Sequence, residues 1–394
     1  MTTPPVVVQK FGGTSVSTLE RRRQVVSQVE RARGAGYRVT IVVSAMGRRG
    51  DPYATDTLLD ILRADGGPVH PADYDLMFAC GEMISAALMS QTLRRAGIPA
   101  LGLTAAQAGI FTDSRHLESE VTRVETGRLL ALMAEGIVPV VCGGQGVTPG
   151  SLDFTTLGRG GSDTSGVVLG VALGARLVEI FTDVEGVMTA DPRAVPGARL
   201  HRRIGYRSCH ELARFGATVI HPRALAAGWR ARLPIVVRST SSGAPGTTID
   251  EPDDEMPVAG IALLPSMRMV SLGSRRLDRL TLEDWERQAR VLAVADEASG
   301  HLLVGAPADK ADALAAALAA LEPGVAGDPV DCAWISVVGQ PQALAARHAD
   351  SVIALSAAGC RPPVVERSEC RTTFVVDPAS ASRAVAVLHR QHFG

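Results

Sequence analysis

Short apolar runs rich in β-branched residues recur along the first three-fifths of the chain, separated by glycine-rich turns and amphipathic stretches. Runs of this length and composition predict buried strands. Between them, apolar residues at helical spacing predict helices, one of which carries Val25, Val29 and Ala32 on one face and ends near Gly34. The predicted strands are residues 6–9, 40–43, 100–103, 138–141, 178–181 and 234–238, with further helices over 74–94 and 211–227 and one that Thr55 caps.

Strand, glycine-rich turn, helix and strand follow one another in this order from the N-terminus. Such a connection joins parallel strands, and a parallel sheet is covered by helices on both faces. The pattern therefore predicts an α/β fold with a central, mostly parallel sheet.

Residues 157–165 (LGRGGSDTS) form a glycine-rich stretch directly before an apolar, small-residue run that predicts a helix. Glycines leave backbone N–H groups uncovered, and Ser162, Asp163 and Thr164 can cap the helix start. Amide donors and the positive end of a helix dipole favour an anion at such a turn. Arg159 adds a planar fork that binds carboxylate or phosphate through two bonds. The alternative is a surface turn with a solvated arginine.

Lys10 stands at the carboxyl end of the first predicted strand, followed by Gly12 and Gly13. In open parallel sheets that edge is where ligands bind, and a lysine there can meet phosphate charge. The pattern GxxxxGK[ST] is absent, which excludes a P-loop NTPase, and no GxGxxG follows the strand. The alternative is an ordinary surface lysine at a strand end.

Acidic residues suggest two further candidate sites. Glu82 interrupts an apolar helix, where it either lies at the solvated boundary or pairs with an ammonium group that Gly81 allows to approach. An acidic turn over 181–188, followed by Asp191 and Arg193, serves either as a turn or as a ligand contact.

The last third of the chain differs in texture. Residues 239–257 are rich in Ser, Gly, Pro, Thr and Asp and predict a linker. Beyond them, residues 258–270, 292–305, 333–338 and 372–376 are strand-like, and 310–321 and 381–389 are Ala-rich and helical. This alternation predicts two small α/β modules, which resemble a degenerate repeat with a regulatory or assembly role.

Composition narrows the functional classes. A net charge of −1 and 4% aromatic residues argue against nucleic-acid binding in this chain of 394 residues. No apolar run approaches the roughly 20 residues of a membrane span, and the N-terminus carries no secretion signal. Six cysteines without CxxC spacing predict reduced thiols and a cytoplasmic protein.

Taken together, four segments resemble the aspartokinase family: residues 10–15 (KFGGTS), 158–163 (GRGGSD), 182–192 (TDVEGVMTADP) and 216–224 (GATVIHPRA). Thr55–Asp56 and Cys80–Glu82 fall at the family's intermediate positions. The resemblance implies an amino-acid-kinase fold over residues 1–245, followed by two ACT-like modules over 246–394. It also implies transfer of the γ-phosphoryl of ATP to the β-carboxylate of L-aspartate.

The resemblance assigns roles to the matching residues. Lys10 would hold the transferring phosphoryl, and Asp163 would orient Lys10 or contact magnesium directly. Arg159 would bind the substrate α-carboxylate and Glu82 its ammonium. Thr55, Gly160, Gly161 and Ser162 complete the implied aspartate site. The implied nucleotide site comprises Lys10, Gly12, Gly13, Ser44, Thr182, Asp183, Asp191 and Arg193. Mg²⁺ is implied by the ATP phosphates, without metal-ligand spacing in the chain.

The chain departs from the family pattern at a few positions. Thr218 replaces an expected lysine near the nucleotide and Ser208 replaces a glutamate, so a weakened or retuned kinase, or a regulatory subunit, is the alternative. A kinase for another amino acid is also open. In the last third, Gln340 and Pro341 replace a glycine-rich turn, which predicts weak or absent lysine and threonine inhibition and modules kept for homodimer assembly.

Overall fold

The computed structural model describes residues 4–64, 66–251, 256–272, 292–295, 302–307, 316, 330–360, 362 and 364–394. The helix predicted over 310–321 lies outside these residues except for position 316. The chain forms two compact units. The first unit is Met1–Val187, Leu200–Tyr206 and Thr218–Asp253, and the second is Met188–Arg199, Arg207–Ala217 and Asp254–Gly394.

The first unit contains strands β1 to β12. In chain order these are β1 (Val6–Phe11), β2 (Arg38–Val43), β3 (Ala100–Leu103), β4 (Ile110–Thr112), β5 (Val121–Val124), β6 (Val138–Cys142), β7 (Gln145–Val147), β8 (Phe154–Thr156), β9 (Leu177–Thr182), β10 (Arg203–Gly205), β11 (Ile235–Ser239) and β12 (Thr247–Asp250).

Helices α1 to α8 lie between these strands. They are α1 (Gly13–Val16), α2 (Leu19–Gly34), α3 (Thr55–Arg63), α4 (Pro71–Arg95), α5 (Gly127–Ala134), α6 (Gly161–Ala172), α7 (Tyr206–Arg214) and α8 (Pro222–Ala231). From Arg207 onward, α7 belongs to the second unit.

Eight strands form one sheet in the order β10-β12-β11-β9-β1-β2-β6-β3. Strands β11, β9, β1, β2, β6 and β3 run parallel, and β12 is antiparallel to β11. The predicted α/β fold with a central, mostly parallel sheet is thereby confirmed. Alternation along β1 sends Val7 and Phe11 into a buried core shared with α2 and α4, while Lys10 faces α6.

Several local expectations were wrong. The helix expected over 211–227 is two helices, because the chain turns at Gly216, with φ +122°, and restarts at Pro222. The expected linker contains β12, which pairs with β11. The short strands β4, β5, β7 and β8, which form a separate four-stranded sheet, were not anticipated because three or four residues carry too little periodicity.

Two helix starts also differ from expectation. Ala54, not Thr55, caps α3, so Thr55 is its first residue. Helix α6 is capped by Gly160 in a left-handed conformation, and Ser162, Asp163 and Thr164 lie inside its first turn without a capping side-chain bond. Their side chains are therefore available for contacts other than capping.

The second unit is built on an antiparallel sheet of six strands in the order β14-β15-β13-β16-β18-β17. These are β13 (Val258–Leu272), β14 (Leu292–Ala295), β15 (Leu302–Pro307), β16 (Val330–Gly339), β17 (Val364–Ser368) and β18 (Arg371–Val376), with α9 (Pro341–Ala357) and α10 (Ala381–Phe393). The run 292–305 is thus two paired strands and not one. An additional sheet module consistent with ACT-like domains was correctly expected.

Among the helices in the described residues, one, α4, is long and apolar enough to cross a membrane by length and composition. Its faces include the buried Asp75, Glu82 and Ser85, and its apolar residues Met89 and Leu93 pack in the core against the sheet. We therefore describe α4 as a core helix of the first unit.

Candidate active site

The centre of the candidate site is an ion pair between Lys10 and Asp163. The Lys10 Nζ lies 2.6 Å from Asp163 Oδ1, and each side chain is about one-tenth exposed, with a relative accessibility of 11%. Gly166 lets α6 pass close over this lysine, since a Cβ there would lie 3.1 Å from Lys10 Cβ. The carboxyl end of β1 and the first turn of α6 thus meet although the two residues are far apart in sequence.

Arg159 lies in the turn between β8 and α6, in the same segment as Asp163. Gly158 and Gly160 both adopt positive φ, at +74° and +71°, which a residue with a side chain rarely adopts. Arg159 itself is exposed, and its side chain makes no hydrogen bond or ion pair with the described residues. Its guanidinium is therefore available to a ligand anion.

Glu82 is a buried carboxyl on α4. The N–H of Ala45 donates to Glu82 Oε1 at 3.1 Å, while Oε2 has no hydrogen-bond partner within the described residues. Burial raises the pKa of Glu82 to about 8, against the lowering effect of backbone hydrogen bonds. A buried carboxyl oxygen without a partner is costly, and an ammonium group is a donor that would satisfy it.

The sequence predicts that Gly81 makes room for a ligand, but the structure gives the glycine another neighbour. A Cβ at Gly81 would lie 2.8 Å from the Ala45 side chain, so the glycine makes room for the protein's own loop after β2. This close approach is what brings Glu82 to the Ala45 amide.

Two serines from opposite sides of the site also meet. Ser44 follows β2, Ser162 follows Gly161 in α6, and their hydroxyl oxygens lie 2.8 Å apart. A predicted nucleotide residue and a predicted aspartate residue are therefore neighbours. Thr55, in contrast, is half-buried at the start of α3, and its side chain makes no hydrogen bond in the described part of the chain.

The glycines after Lys10 are used mainly by the fold. The Gly12 N–H donates to the Phe181 carbonyl at 3.2 Å, so this amide is already engaged. A Cβ at Gly13 would lie 2.4 Å from the Ala45 carbonyl oxygen, and the Gly47 N–H donates to Gly13 at 3.0 Å. The two glycines therefore let the loops after β1 and β2 pack against each other.

Asp183 is paired with an arginine that the sequence did not reveal. Arg48 Nη2 lies 2.6 Å from Asp183 Oδ2, and the Thr182 hydroxyl donates to Asp183 Oδ1 at 3.2 Å. Arg48 follows Gly47 after β2, and Asp183 follows β9, so both lie at the carboxyl ends of parallel strands. Their position after predicted strands was the available signal, but nothing in the sequence links them.

Asp191 and Arg193 belong to the second unit. The Arg193 guanidinium donates to Oδ1 of Asp191 at 3.0 Å and to Oδ2 at 2.7 Å. The hydrogen bonds and charge of Arg193 outweigh partial burial and lower the pKa of Asp191. Their nucleotide contact stays a prediction based on the family resemblance.

No group of three or more His, Cys, Asp or Glu side chains is arranged to hold a metal ion within the described ranges. The six cysteines are free thiols. Thr218 is exposed in the first unit and Ser208 is buried in the second. The site is therefore one of charge pairs, backbone amides and a buried carboxyl.

Comparisons with known proteins agree with this geometry. The Amino acid kinase family model matches residues 5–239. Aspartokinase 1 of Bacillus subtilis (strain 168) is 46% identical over 244 residues, which are 62% of this chain and 60% of that protein. An aspartokinase of Thermus thermophilus is 35% identical over an alignment of 409 positions that covers 98% of both chains.

Solved structures are similar over nearly the whole chain. E. coli aspartokinase III in complex with aspartate and ADP has a TM-score of 0.81 at 22% identity, covering 99% of this chain and 100% of that one. The aspartate kinase of Synechocystis has a TM-score of 0.56 at 33% identity, covering 98% of this chain and 69% of that one. The chain belongs to the amino acid kinase family and, within it, to the aspartokinases.

Proposed function

We propose that the protein is an aspartate kinase, which transfers the γ-phosphoryl of ATP to the β-carboxylate of L-aspartate and forms 4-phospho-L-aspartate. The observation that carries this proposal is the Lys10–Asp163 ion pair, with Arg159 in the adjoining turn unpaired among the described residues. The relatives that align over the full length are aspartokinases. The relatives that match over this length are named for this activity, and the site has the charges that the reaction needs.

The acceptor needs no general base in this reaction. A side-chain carboxylate with a pKa near ~3.9 is already ionised at neutral pH. The protein must instead bring two anions together and offset the charge that spreads over the transferring phosphoryl. Lys10 supplies that positive charge, and Asp163 holds its ammonium in place at 2.6 Å.

The amino acid is recognised at its α-carbon. Arg159 binds the α-carboxylate through its two-pronged guanidinium, and the free oxygen of Glu82 accepts from the α-ammonium. Thr55, Ser162 and the backbone of Gly160 and Gly161 complete the aspartate site. This set selects a free α-amino acid, and the space left beyond it selects the chain length.

MgATP is the second substrate. Lys10, Gly12, Gly13 and Ser44 line the phosphates, while Thr182, Asp183, Asp191 and Arg193 surround the rest of the nucleotide. The ion is carried by the ATP phosphates, because the described residues form no cluster that would retain it alone.

The remainder of the proposal concerns organisation. Residues 1–245 are the kinase part, and residues 246–394 are an ACT-like part that joins two chains into a cytoplasmic homodimer. Lysine and threonine inhibit weakly or not at all, because Gln340 and Pro341 begin α9 where the family has a glycine-rich effector turn. Adding either amino acid to the assay tests this, and strong inhibition at sub-millimolar levels would contradict it.

The activity is tested with MgATP, L-aspartate and hydroxylamine, which converts the acyl phosphate to a coloured hydroxamate. We expect product with the wild type and a loss of at least about 100-fold in kcat/KM for Lys10→Met and Arg159→Ala. Arg128→Ala, at an exposed arginine on α5, is the matched control and should be fully active.

Two results would contradict the proposal. Product formed from glutamate or a modified aspartate, but not from L-aspartate, would identify another acceptor. Binding of nucleotide and aspartate without turnover would identify a regulatory or assembly subunit, in agreement with Thr218 and Ser208.

A further inference from the structure

The turn that carries Arg159 is closed from within by a backbone hydrogen bond, from the Gly161 N–H to the Gly158 carbonyl at 3.0 Å, and not by side chains. Gly158 and Gly160 have no side chains to pack, and α6 begins at Gly161 without a side-chain cap. Contacts from outside the turn further restrict its backbone, and a guanidinium at its tip binds a ligand better when that backbone is fixed in advance.

Arg223, in the first turn of α8, provides that fixation. Its Nη1 donates to the carbonyl of Leu157 at 2.7 Å, and its Nη2 donates to the carbonyl of Ser119 at 2.8 Å. Leu157 is two residues before Arg159. Ser119 in turn donates from its N–H and its hydroxyl to the Thr156 carbonyl, both at 2.8 Å. One planar fork therefore ties together the two chain segments that meet at the base of the turn.

His221, the N-cap of α8, contacts the same turn and also the ion pair. The His221 imidazole packs against Gly160, since a Cβ there would lie 2.3 Å from the ring. The His221 N–H donates to Asp163 Oδ2 at 3.2 Å, while Oδ1 of that carboxylate contacts Lys10. The start of α8 thus contacts both the turn with Arg159 and the carboxylate that orients Lys10.

We propose that Arg223 is a positioning residue that fixes the 158–161 turn and thereby sets the affinity for the amino-acid substrate, not for the nucleotide. Arg223 acts through the Leu157 carbonyl, two residues from the guanidinium that binds the α-carboxylate. The effect on substrate rests on the proposed function, whereas the effect on the turn does not.

Arg223→Met and Arg223→Lys test the proposal, with Arg230→Met as the matched control. Arg230 is an exposed arginine on the same helix, and its side chain reaches back to the Ala226 carbonyl. We expect Arg223→Met to raise the KM for L-aspartate roughly 10- to 100-fold, with the KM for MgATP within about twofold of wild type. Arg223→Lys keeps the charge but not the fork, so it should recover only part of the loss.

Amide hydrogen exchange gives a readout that does not depend on activity. Exchange in residues 157–163 should be faster by about tenfold in Arg223→Met than in wild type, and unchanged in Arg230→Met. If Arg223→Met does not fold, both measurements are made on Arg223→Lys. We then expect an intermediate rise in the KM for L-aspartate and an intermediate rise in the exchange rate.

The outcomes separate the two proposals. Unchanged exchange, an equal rise in both KM values, or full recovery by Arg223→Lys would overturn the role of Arg223. If Arg223→Met exchanges faster but the wild-type protein makes no aspartyl hydroxamate, the role of Arg223 in fixing the turn would stand and the kinase assignment would be rejected.

Discussion

Glu82 is the residue whose protonation should couple most directly to substrate. Burial raises the pKa of its carboxyl to about 8, so it is mainly protonated at neutral pH when no ligand is present. A substrate ammonium beside it favours the ionised form. Binding of the amino acid below pH 8 should therefore release a proton from Glu82.

We expect the KM for L-aspartate to fall roughly tenfold per unit as the pH rises toward the Glu82 pKa of about 8, and to level off above it. Steady-state kinetics at constant ionic strength measure this profile. Calorimetry of aspartate binding in two buffers of different ionisation enthalpy measures the released proton. A flat KM profile together with buffer-independent heat would show that Glu82 is already ionised in the free protein.

Glu82→Gln removes the titrating carboxyl and is the control for a second effect, on the stability of the protein. The pKa rises from 4.5 to about 8 on folding, so between these values the folded protein holds a proton that the unfolded chain has lost. The wild type should then lose stability as the pH rises through this range, by an amount on the order of a few kcal/mol, and the glutamine variant should not. Urea unfolding at both ends of the range measures the difference.

At the scale of elements, the site depends on how closely two loops approach. The turn into α1 after β1 packs on the loop after β2, because Gly13 has no side chain to meet the Ala45 carbonyl. The same loop after β2 also brings the Ala45 N–H to the Glu82 carboxyl group. Packing of these two loops therefore supports both the loop that follows Lys10 and the position of Glu82.

Gly13→Ala should destabilise the protein by roughly 1–3 kcal/mol and sharply reduce kcat, because its Cβ would lie 2.4 Å from a backbone oxygen. Gly34→Ala is the matched control at the end of α2, where a Cβ meets no atom within 4 Å, and it should be neutral or slightly stabilising. Thermal unfolding and the hydroxamate assay measure both variants. Equal behaviour of the two would mean that the loops can separate without cost.

At the scale of the whole molecule, the second unit gathers segments that are distant in sequence. Arg371 on β18 lies over the Phe215 ring at 3.8 Å and pairs with Glu211 on α7 at 2.9 Å and with Glu366 on β17 at 2.6 Å. Burial disfavours the charge on Glu211, but the hydrogen bond with His210 and the charges of nearby arginines outweigh it and lower its pKa to about 2.

Glu211→Gln should lower the stability of the protein by roughly 2–3 kcal/mol at neutral pH. The Glu211 pKa falls from 4.5 to about 2 on folding, so this contribution is present above the first value and is lost as the pH falls toward the second. Shifts in the urea midpoint at several pH values measure it. Glu369→Gln is the control, because its pair with Arg207 is largely exposed and should contribute little. If the stability loss on Glu211→Gln does not become smaller at acidic pH, it does not come from the ionised Glu211 carboxylate.

The single-residue predictions from sequence were most useful where a motif was continuous. Residues 10–15 and 158–163 identified the two segments that the structure joins through Lys10 and Asp163. Arg48 was not identified, and Arg223 lies in the family-like segment 216–224 but was given no role of its own. The carboxylate that Arg48 binds lies 135 positions away, and the acceptors of Arg223 are backbone carbonyls, which leave no trace in the residue types.

The sequence by itself determined the α/β character of the first unit and the positions of its long strands along the chain. Local periodicity and the positions of glycine and proline depend directly on the backbone conformation. It also determined which motifs carry the candidate chemistry. Only the tertiary structure decided which of these residues meet, that α7 is mostly part of the second unit, and that α8 braces the Arg159 turn. Such contacts join segments distant in the chain, and they depend on packing and backbone acceptors that no local pattern encodes.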